Sequence, residues 1–315
     1  MSEDKLVSIY IPTRNRAGLL RRAVESVLAQ TYRNIELIVV NDASTDDTER
    51  YLQEKAKTEP RLIFLSNPQA RGAPASRNLA IRHSNGMFVT GLDDDDEFLP
   101  ERVGAFVDYW ELLASRGVYA ACLYAQDIWL NNGSSLRTTN KQSSVTAEDL
   151  FNYNYIGNQV FAPRAHFIGA GLFDERLPAW QDLEFLIRLL RRFGQGHLLD
   201  LPTYLFDATL RPDRISSQER KIRQAFEMVA DKHSAGSALR RKTLFLQMFQ
   251  DGYGFKPDTA DWLRFLGWGH YPKGMLRMAR TTLAGRRGHQ ITATTPAADP
   301  ALALPATSGG SIGGD

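Results

Sequence analysis

The chain is poor in cysteine, in long apolar runs and in net charge, and each shortage narrows what it can be. Among 315 residues only Cys122 carries a thiol, and it sits in an apolar run. One thiol excludes a disulfide framework and a cysteine-built metal site within the chain, and it fits a reducing cytosol. No uninterrupted run of about 18 apolar residues occurs, so no transmembrane helix is expected. The polar opening Met1-Ser2-Glu3-Asp4-Lys5 leads straight into an apolar segment, so no signal peptide is expected either. A cytoplasmic location follows as the expectation. Lys and Arg total 38 against 36 Asp and Glu, a net charge of +2 that points to no nucleic-acid partner. Six scattered histidines and one thiol offer no nucleophile–base constellation.

What is present is a strand–helix alternation. Short apolar runs at 7–11, 35–40, 62–65, 87–92 and 118–124 read as strands. Between them, 17–29, 46–58, 74–83 and 101–115 have helical spacing; Leu19, Leu20, Ala23, Val24, Val27 and Leu28 mark the first helix. Ser44 or Thr45 is placed to cap the second. This alternation predicts an α/β fold, a mostly parallel sheet flanked by helices on both faces. From 126 to 215 the rhythm changes. A hairpin is expected at Asn131-Asn132-Gly133-Ser134-Ser135 and a short helix over 146–151. An amphipathic helix is expected over 183–193, capped by Asp182 and ended by Gly194. Residues 216–250 read as helical, and the Ala, Thr, Pro, Gly and Ser of 291–315 read as a disordered tail.

The densest chemistry lies in Gly91-Leu92-Asp93-Asp94-Asp95-Asp96-Glu97-Phe98, directly after a strand. Ligands of open α/β sheets bind outside the carboxyl ends of the strands. Five adjacent acids repel one another unless a cation compensates. Carboxylate oxygens suit Mg²⁺ or Mn²⁺, which commonly carry substrate phosphates. A solvated loop is the plainer alternative. A calcium loop is excluded, because its sixth position would need Gly and holds Phe98. Two other strands end in polar residues, Pro12-Thr13-Arg14-Asn15-Arg16 and Asn41-Asp42-Ala43-Ser44-Thr45-Asp46. In one parallel sheet these ends share an edge, so Thr13, Asp42, Asp93 and Asp95 would line one crevice. The segment Arg71-Gly72-Ala73-Pro74-Ala75-Ser76-Arg77-Asn78 opens a helix whose start favours anions, with Arg71 or Arg77 free to pair with phosphate.

These four segments, in this order, resemble glycosyltransferase family 2 of the GT-A fold. The likeness covers roughly residues 5–215. It implies an inverting transfer from a nucleotide-diphosphate sugar, most often a UDP-sugar, with Mn²⁺ or Mg²⁺ as cofactor and a glycan or lipid-linked acceptor in bacterial surface-polysaccharide synthesis. Carried onto this chain, it places Pro12, Thr13 and Arg14 along the nucleotide and gives Asp42 a hydrogen bond from the base. Arg77 falls near the nucleotide. Asp93 falls near the ribose or donor sugar, Asp95 on the metal, and Asp94 between them. It divides the chain into a catalytic domain over 1–215, a helical extension over 216–290 and the tail. Within the catalytic domain, 1–125 is the nucleotide half and 126–215 the acceptor half.

The downstream half holds Trp180-Gln181-Asp182-Leu183-Glu184. The family often starts this helix with a Glu-Asp pair whose Asp is the general base. Here the first acid is Gln181 and the second is kept, so the resemblance makes Asp182 the base, with Glu184 behind it. Trp180 is a candidate to stack on the acceptor sugar. In the loop 207–216, Arg211 or Arg214 is a candidate to neutralise the diphosphate. Residues 262–290 hold six Lys or Arg and no acid, interleaved with aromatics and leucines. That mixture reads as a surface for anionic membrane at its inner face, or as a helical pair packed on the catalytic domain. Two other functions compete. A nucleotidyltransferase would carry glycine after its first strand, and residues 12–16 have none. A non-catalytic nucleotide-sugar-binding assembly protein is kept open by the missing acid at 181.

Overall fold

The computed structural model describes residues 5–209, 211, 217–250 and 253–283. Strands β1 (Val7–Thr13), β2 (Ile35–Asn41), β3 (Leu62–Ser66) and β4 (Phe88–Gly91) pair in parallel in the order β3-β2-β1-β4. Helices α1 (Ala17–Leu28), α2 (Thr48–Ala56) and α3 (Ala73–His83) return the chain between them. The expected alternation is therefore found in the first 91 residues, with boundaries shifted by a residue or two.

Beyond β4 the sheet becomes mixed. After β5 (Glu97–Phe98) and α4 (Arg102–Ser115) come β6 (Cys122–Asn131), β7 (Ser134–Thr138), β8 (Ser144–Val145), a 3-10 turn at Asp149–Phe151 and β9 (Phe161–Pro163). Helices α5 (Arg164–Gly169) and α6 (Gln181–Phe193) follow, then β10 (Gly196–Asp207). Strand β9 lies antiparallel between β4 and β6, and β10 lies between β6 and β5. The fifth strand expected over 118–124 instead starts at Cys122 and runs to Asn131, where Asn132 and Gly133, both at positive φ, turn it into the expected hairpin with β7. The long β10 had no expectation. Pro202 lies inside it, and proline is tolerated in strands at edges or bulges. The register against β6 shifts on either side of Pro202.

Alternation along β1 feeds two cores. Ile9 and Ile11 point to the face covered by α1, α2 and α4. Tyr10 points to the other face, with Phe167 of α5 and Phe185 of α6. Helices α7 (Glu219–His233), α8 (Ala238–Gln247), α9 (Thr259–Gly267) and α10 (Pro272–Leu283) extend this second core. Phe226, Phe245, Phe265 and Met278 are all buried in the same cluster as Tyr10. Gly274 allows α10 to close on α9, since a Cβ there would stand 2.3 Å from Tyr271 and 2.6 Å from Phe265. The helical pair expected as one alternative for 262–290 is thus present over its described residues.

Candidate active site

The carboxyl ends of β1, β2 and β4 meet at one edge. Asp42 N donates to Thr13 O at 2.9 Å, and Leu92 N donates to Tyr10 O at 3.0 Å. These ladder bonds bring together the loops after the three strands. Two of the loops bend through the left-handed region at non-glycine residues, Asn15 (φ 54°) and Ala43 (φ 56°). Such backbone clusters at functional sites. Ser44 and Thr45 do not cap α2. Ser44 Oγ accepts from Asn15 N and Thr45 N donates to Asn15 Oδ1, so both tie the β1 and β2 loops together. Asp46 does the capping work, accepting from Thr48 N and from Ala17 N, a group of α1.

Asp42 is buried and organises the loop before α3. Its carboxylate accepts from Asn67 Nδ2, Arg71 N and Gly72 N, each at 2.8 Å. Gly72 has φ +88°, which a side chain would resist. The backbone of 71–72 thus faces the carboxylate expected to meet a nucleotide base. Thr13 is buried and donates to Asp94 Oδ2 at 2.8 Å. Pro12 is buried and Arg14 exposed, and it is Arg16 that reaches the acids, at 3.0 Å from Asp94 and 3.5 Å from Asp95.

One carboxylate oxygen each of Asp93, Asp95 and Asp96 lie within 4.8 Å of one another, a donor set that could hold a metal ion. Asp95 and Asp96 are buried and Asp93 half-buried. The acidity of Asp94 and Asp96, beyond the two positions of the motif, has partners of its own. Asp96 accepts from Tyr204 Oη at 2.7 Å and from Asp207 N at 2.8 Å, so β10 positions it. Burial, then the charges of Asp95 and Asp93, push the Asp96 carboxyl well above its ordinary range. Burial lifts Asp94 to about 6 against the pull of Arg16. Crowded acids of this kind are what a divalent cation relieves. Arg211 pairs with Asp95, and with Asp207 at 2.9 Å. Arg214 lies outside the described residues.

Arg77 links this cluster to the second half of the site. It is buried, donates to Asp93 Oδ1 at 2.9 Å, and feels the charge of Asp182. Helix α6 starts two residues earlier than expected, at Gln181. Trp180 occupies its cap position at φ 57°, so Asp182 lies in the first turn and is not the cap. Asp182 Oδ2 accepts from Asn154 Nδ2 at 2.8 Å. Burial raises its pKa, opposed by a backbone hydrogen bond and by Arg77. Glu184, the other carboxylate of this turn, is fully buried and faces away. His233, Arg188 and Lys232 surround it at 2.6–3.0 Å and hold it at about 2 despite its burial. Trp180 is 7% exposed and its indole N–H donates to Tyr253 Oη at 2.9 Å. Its ring packs in the core, whereas Tyr153, beside Asn154, is 41% exposed. Asn154, Tyr204 and Tyr253 carry no local sequence signal; only the pairing of distant strands and helices brings them here.

The family model for glycosyl transferase family 2 matches residues 8–173. An Escherichia coli protein named as the colanic acid biosynthesis glycosyl transferase WcaA is 34% identical over 223 residues, 70% of this chain and 79% of that protein. The GalNAc(5)-diNAcBac-PP-undecaprenol beta-1,3-glucosyltransferase of Campylobacter jejuni is 30% identical over 155 residues, 48% of this chain and 49% of its own length. Among solved structures, S. aureus TarS 1-349 in complex with UDP-GlcNAc has a TM-score of 0.62 at 18% identity, covering 86% of this chain and 81% of that one. The mannosyltransferase PcManGT from Pyrobaculum calidifontis, in complex with GDP-Man and Mn²⁺, has a TM-score of 0.51 at 17% identity, covering 87% and 73%.

Proposed function

Because the chain belongs to glycosyltransferase family 2 and has the GT-A fold, we propose that it transfers a sugar from a UDP-sugar to a hydroxyl of a glycan or lipid-linked acceptor, with inversion and with a divalent ion, Mn²⁺ or Mg²⁺. The observation that carries this reading is Arg77, hydrogen-bonded to one member of a three-carboxylate cluster and under the charge of Asp182. Asp93, Asp95 and Asp96 would hold the ion. Bound there, it supplies Lewis-acid charge to the departing diphosphate. Arg16 and Arg211 add positive charge on the same side. The acceptor oxygen attacks the anomeric carbon, the bond to the diphosphate oxygen breaks, and Asp182 takes the hydroxyl proton. One displacement inverts the centre and needs no covalent intermediate. The network around Glu184 leaves that carboxylate no free face, which favours Asp182 as the base. The donor class is supported by the TarS complex, and the acceptor class by the names of the E. coli and C. jejuni relatives.

The direct test is a thermal-shift series with UDP-GlcNAc, UDP-glucose and GDP-mannose, with and without Mn²⁺. A UDP-sugar should raise the melting temperature, and more so with Mn²⁺, because a ligand of the native state stabilises it. Release of UDP on incubation then separates an enzyme from a mere binder. A shift with GDP-mannose alone, or UDP-sugar binding with no turnover on any acceptor, would sink the corresponding half of the reading.

The C-terminal helices support peripheral contact with an anionic membrane. No helix among the described residues is long and apolar enough to cross one. Lys273, Leu276, Arg280 and Leu283 form one exposed stripe of α10, and Leu263 and Leu266 are exposed on α9. Basic and apolar groups on one outer face suit a lipid surface. Cutting the chain at 262 is a poor test, since Phe265 and Met278 are fully buried and each is worth roughly 1.5–3 kcal/mol. Leu263→Glu with Leu276→Glu leaves the core intact. In sedimentation with phosphatidylglycerol vesicles the double variant should stay in solution while the parent pellets. Equal pelleting of the two would assign the stripe to something other than lipid.

A further inference from the structure

Several buried polar atoms lack a hydrogen-bond partner among the described residues, Tyr10 Oη and Arg211 Nε among them. Tyr10 is 3% exposed, and its hydroxyl is buried with no hydrogen bond among the described residues. A buried hydroxyl left unpaired is destabilising, and a phenylalanine would fill the same space without that cost. The ring is held rigidly. It stands edge-on to Phe173 at 6.5 Å, and it lies over Gly91, its register partner on β4. A Cβ on Gly91 would stand 2.5 Å from Tyr10 Cζ and Oη, so only glycine leaves room for the phenol. The hydroxyl thus lies beside Gly91, the last residue of β4 and two residues before Asp93. The charges that act on it are those of Arg77, Asp93 and Asp182, while burial holds its proton on. Asp93 is half-exposed, and the only hydrogen bond described for its side chain uses Oδ1, towards Arg77.

We propose that Tyr10 is a positioning residue whose hydroxyl is kept unpartnered in the donor-free enzyme and donates to the Asp93 carboxylate once a donor is bound. The inference rests on the reading of Asp93 as a donor-side group. A donor hydroxyl that draws Asp93 inward brings its second oxygen to the phenol. Asp93 is then fixed from two sides, by Arg77 and by Tyr10, and the strain of the unpaired hydroxyl is released only in the complex. The free enzyme thus carries a small instability that donor binding removes.

Tyr10→Phe separates this from a structural role, because the two predicted effects have opposite signs. The variant should melt higher than the parent without ligand, and should bind UDP-GlcNAc with Mn²⁺ about tenfold more weakly by calorimetry. A lower melting temperature, or unchanged affinity, overturns the proposal. A double-mutant cycle with Asp93→Ala, which leaves no acceptor, identifies the partner: the two losses should be non-additive, and additive losses overturn Asp93 as the acceptor of the bond. If the parent binds none of UDP-GlcNAc, UDP-glucose or GDP-mannose, the donor reading fails and the donor-triggered bond with it. If the parent binds and the variant binds equally, the donor reading stands and the role of Tyr10 fails alone.

Discussion

Replacing Asp182 with Asn should leave UDP-sugar affinity near that of the parent and lower transfer about 10²–10⁴-fold. The substitution keeps the size of the side chain, and Asn can still accept from Asn154 through its carbonyl oxygen. Asp182 is not the cap of α6, so the substitution leaves the cap position untouched. What disappears is a carboxylate able to take the acceptor's proton. Burial raises the pKa of this group, which moves it towards the range where a base works best at neutral pH. The rate of the parent should therefore rise with pH through a limb set above the ordinary carboxylate value, and that limb should vanish in Asp182→Asn. Measured turnover near that of the parent, with an unchanged acid limb, would remove Asp182 from the base role. Glu184→Gln serves as the control for fold, because its carboxylate is committed to His233, Arg188 and Lys232.

The second large effect concerns the cation. Asp95→Ala should abolish the Mn²⁺-dependent part of UDP affinity, a loss of more than about 100-fold, given that even outer partners of metal ligands cost 10–100-fold. The variant removes one of three converging oxygens and leaves Arg211 paired with Asp207 alone. Metal-independent binding should persist. Calorimetry with UDP, with Mn²⁺ and with a chelator, separates the two parts. Asp94→Asn is the comparison: Asp94 lies outside the three-carboxylate group and instead engages Thr13 and Arg16. It should weaken binding without changing its dependence on Mn²⁺. Equal Mn²⁺ dependence in Asp95→Ala and the parent would place the ion elsewhere or nowhere.

The part of the fold legible in the sequence is the part built from local signals. Strands β1 to β4 are short apolar runs between amphipathic helices, and each is nearly all buried except β3, so periodicity finds them. The acids after β4 and the polar ends of β1 and β2 follow from the same register. The second half is built from pairings that no window reveals. Strand β9 has three residues, and its place between β4 and β6 depends on Phe161, which pairs with both Thr90 and Leu123. Strand β10 conceals itself behind Pro202, and with it goes Tyr204, the residue that turns Asp96 into the site. The cap expected at Asp182 failed because Trp180 takes the cap position in a left-handed conformation, which aromatic residues rarely adopt. The tail over 291–315 and the basic residues beyond 283 lie outside the described residues.

The position of β10 also limits how the protein can be cut or recombined. The family-level match ends at residue 173, which invites a compact expression fragment or a graft point there. Such a fragment would lack the strand that separates β6 from β5, along with α6, whose Leu183, Phe185, Leu186, Ile187, Leu189 and Leu190 face the Tyr10 side of the sheet. It would present a raw sheet edge and an uncovered apolar face, both prone to aggregate. Chimeras that exchange the segment after residue 125 between relatives face the same rule from the other side. The transplanted block must carry α7 to α10 with it, because Phe226, Phe245, Phe265 and Met278 share one interior with Phe173. The interchangeable unit is thus set by the second core, and a junction drawn from motif similarity falls inside it.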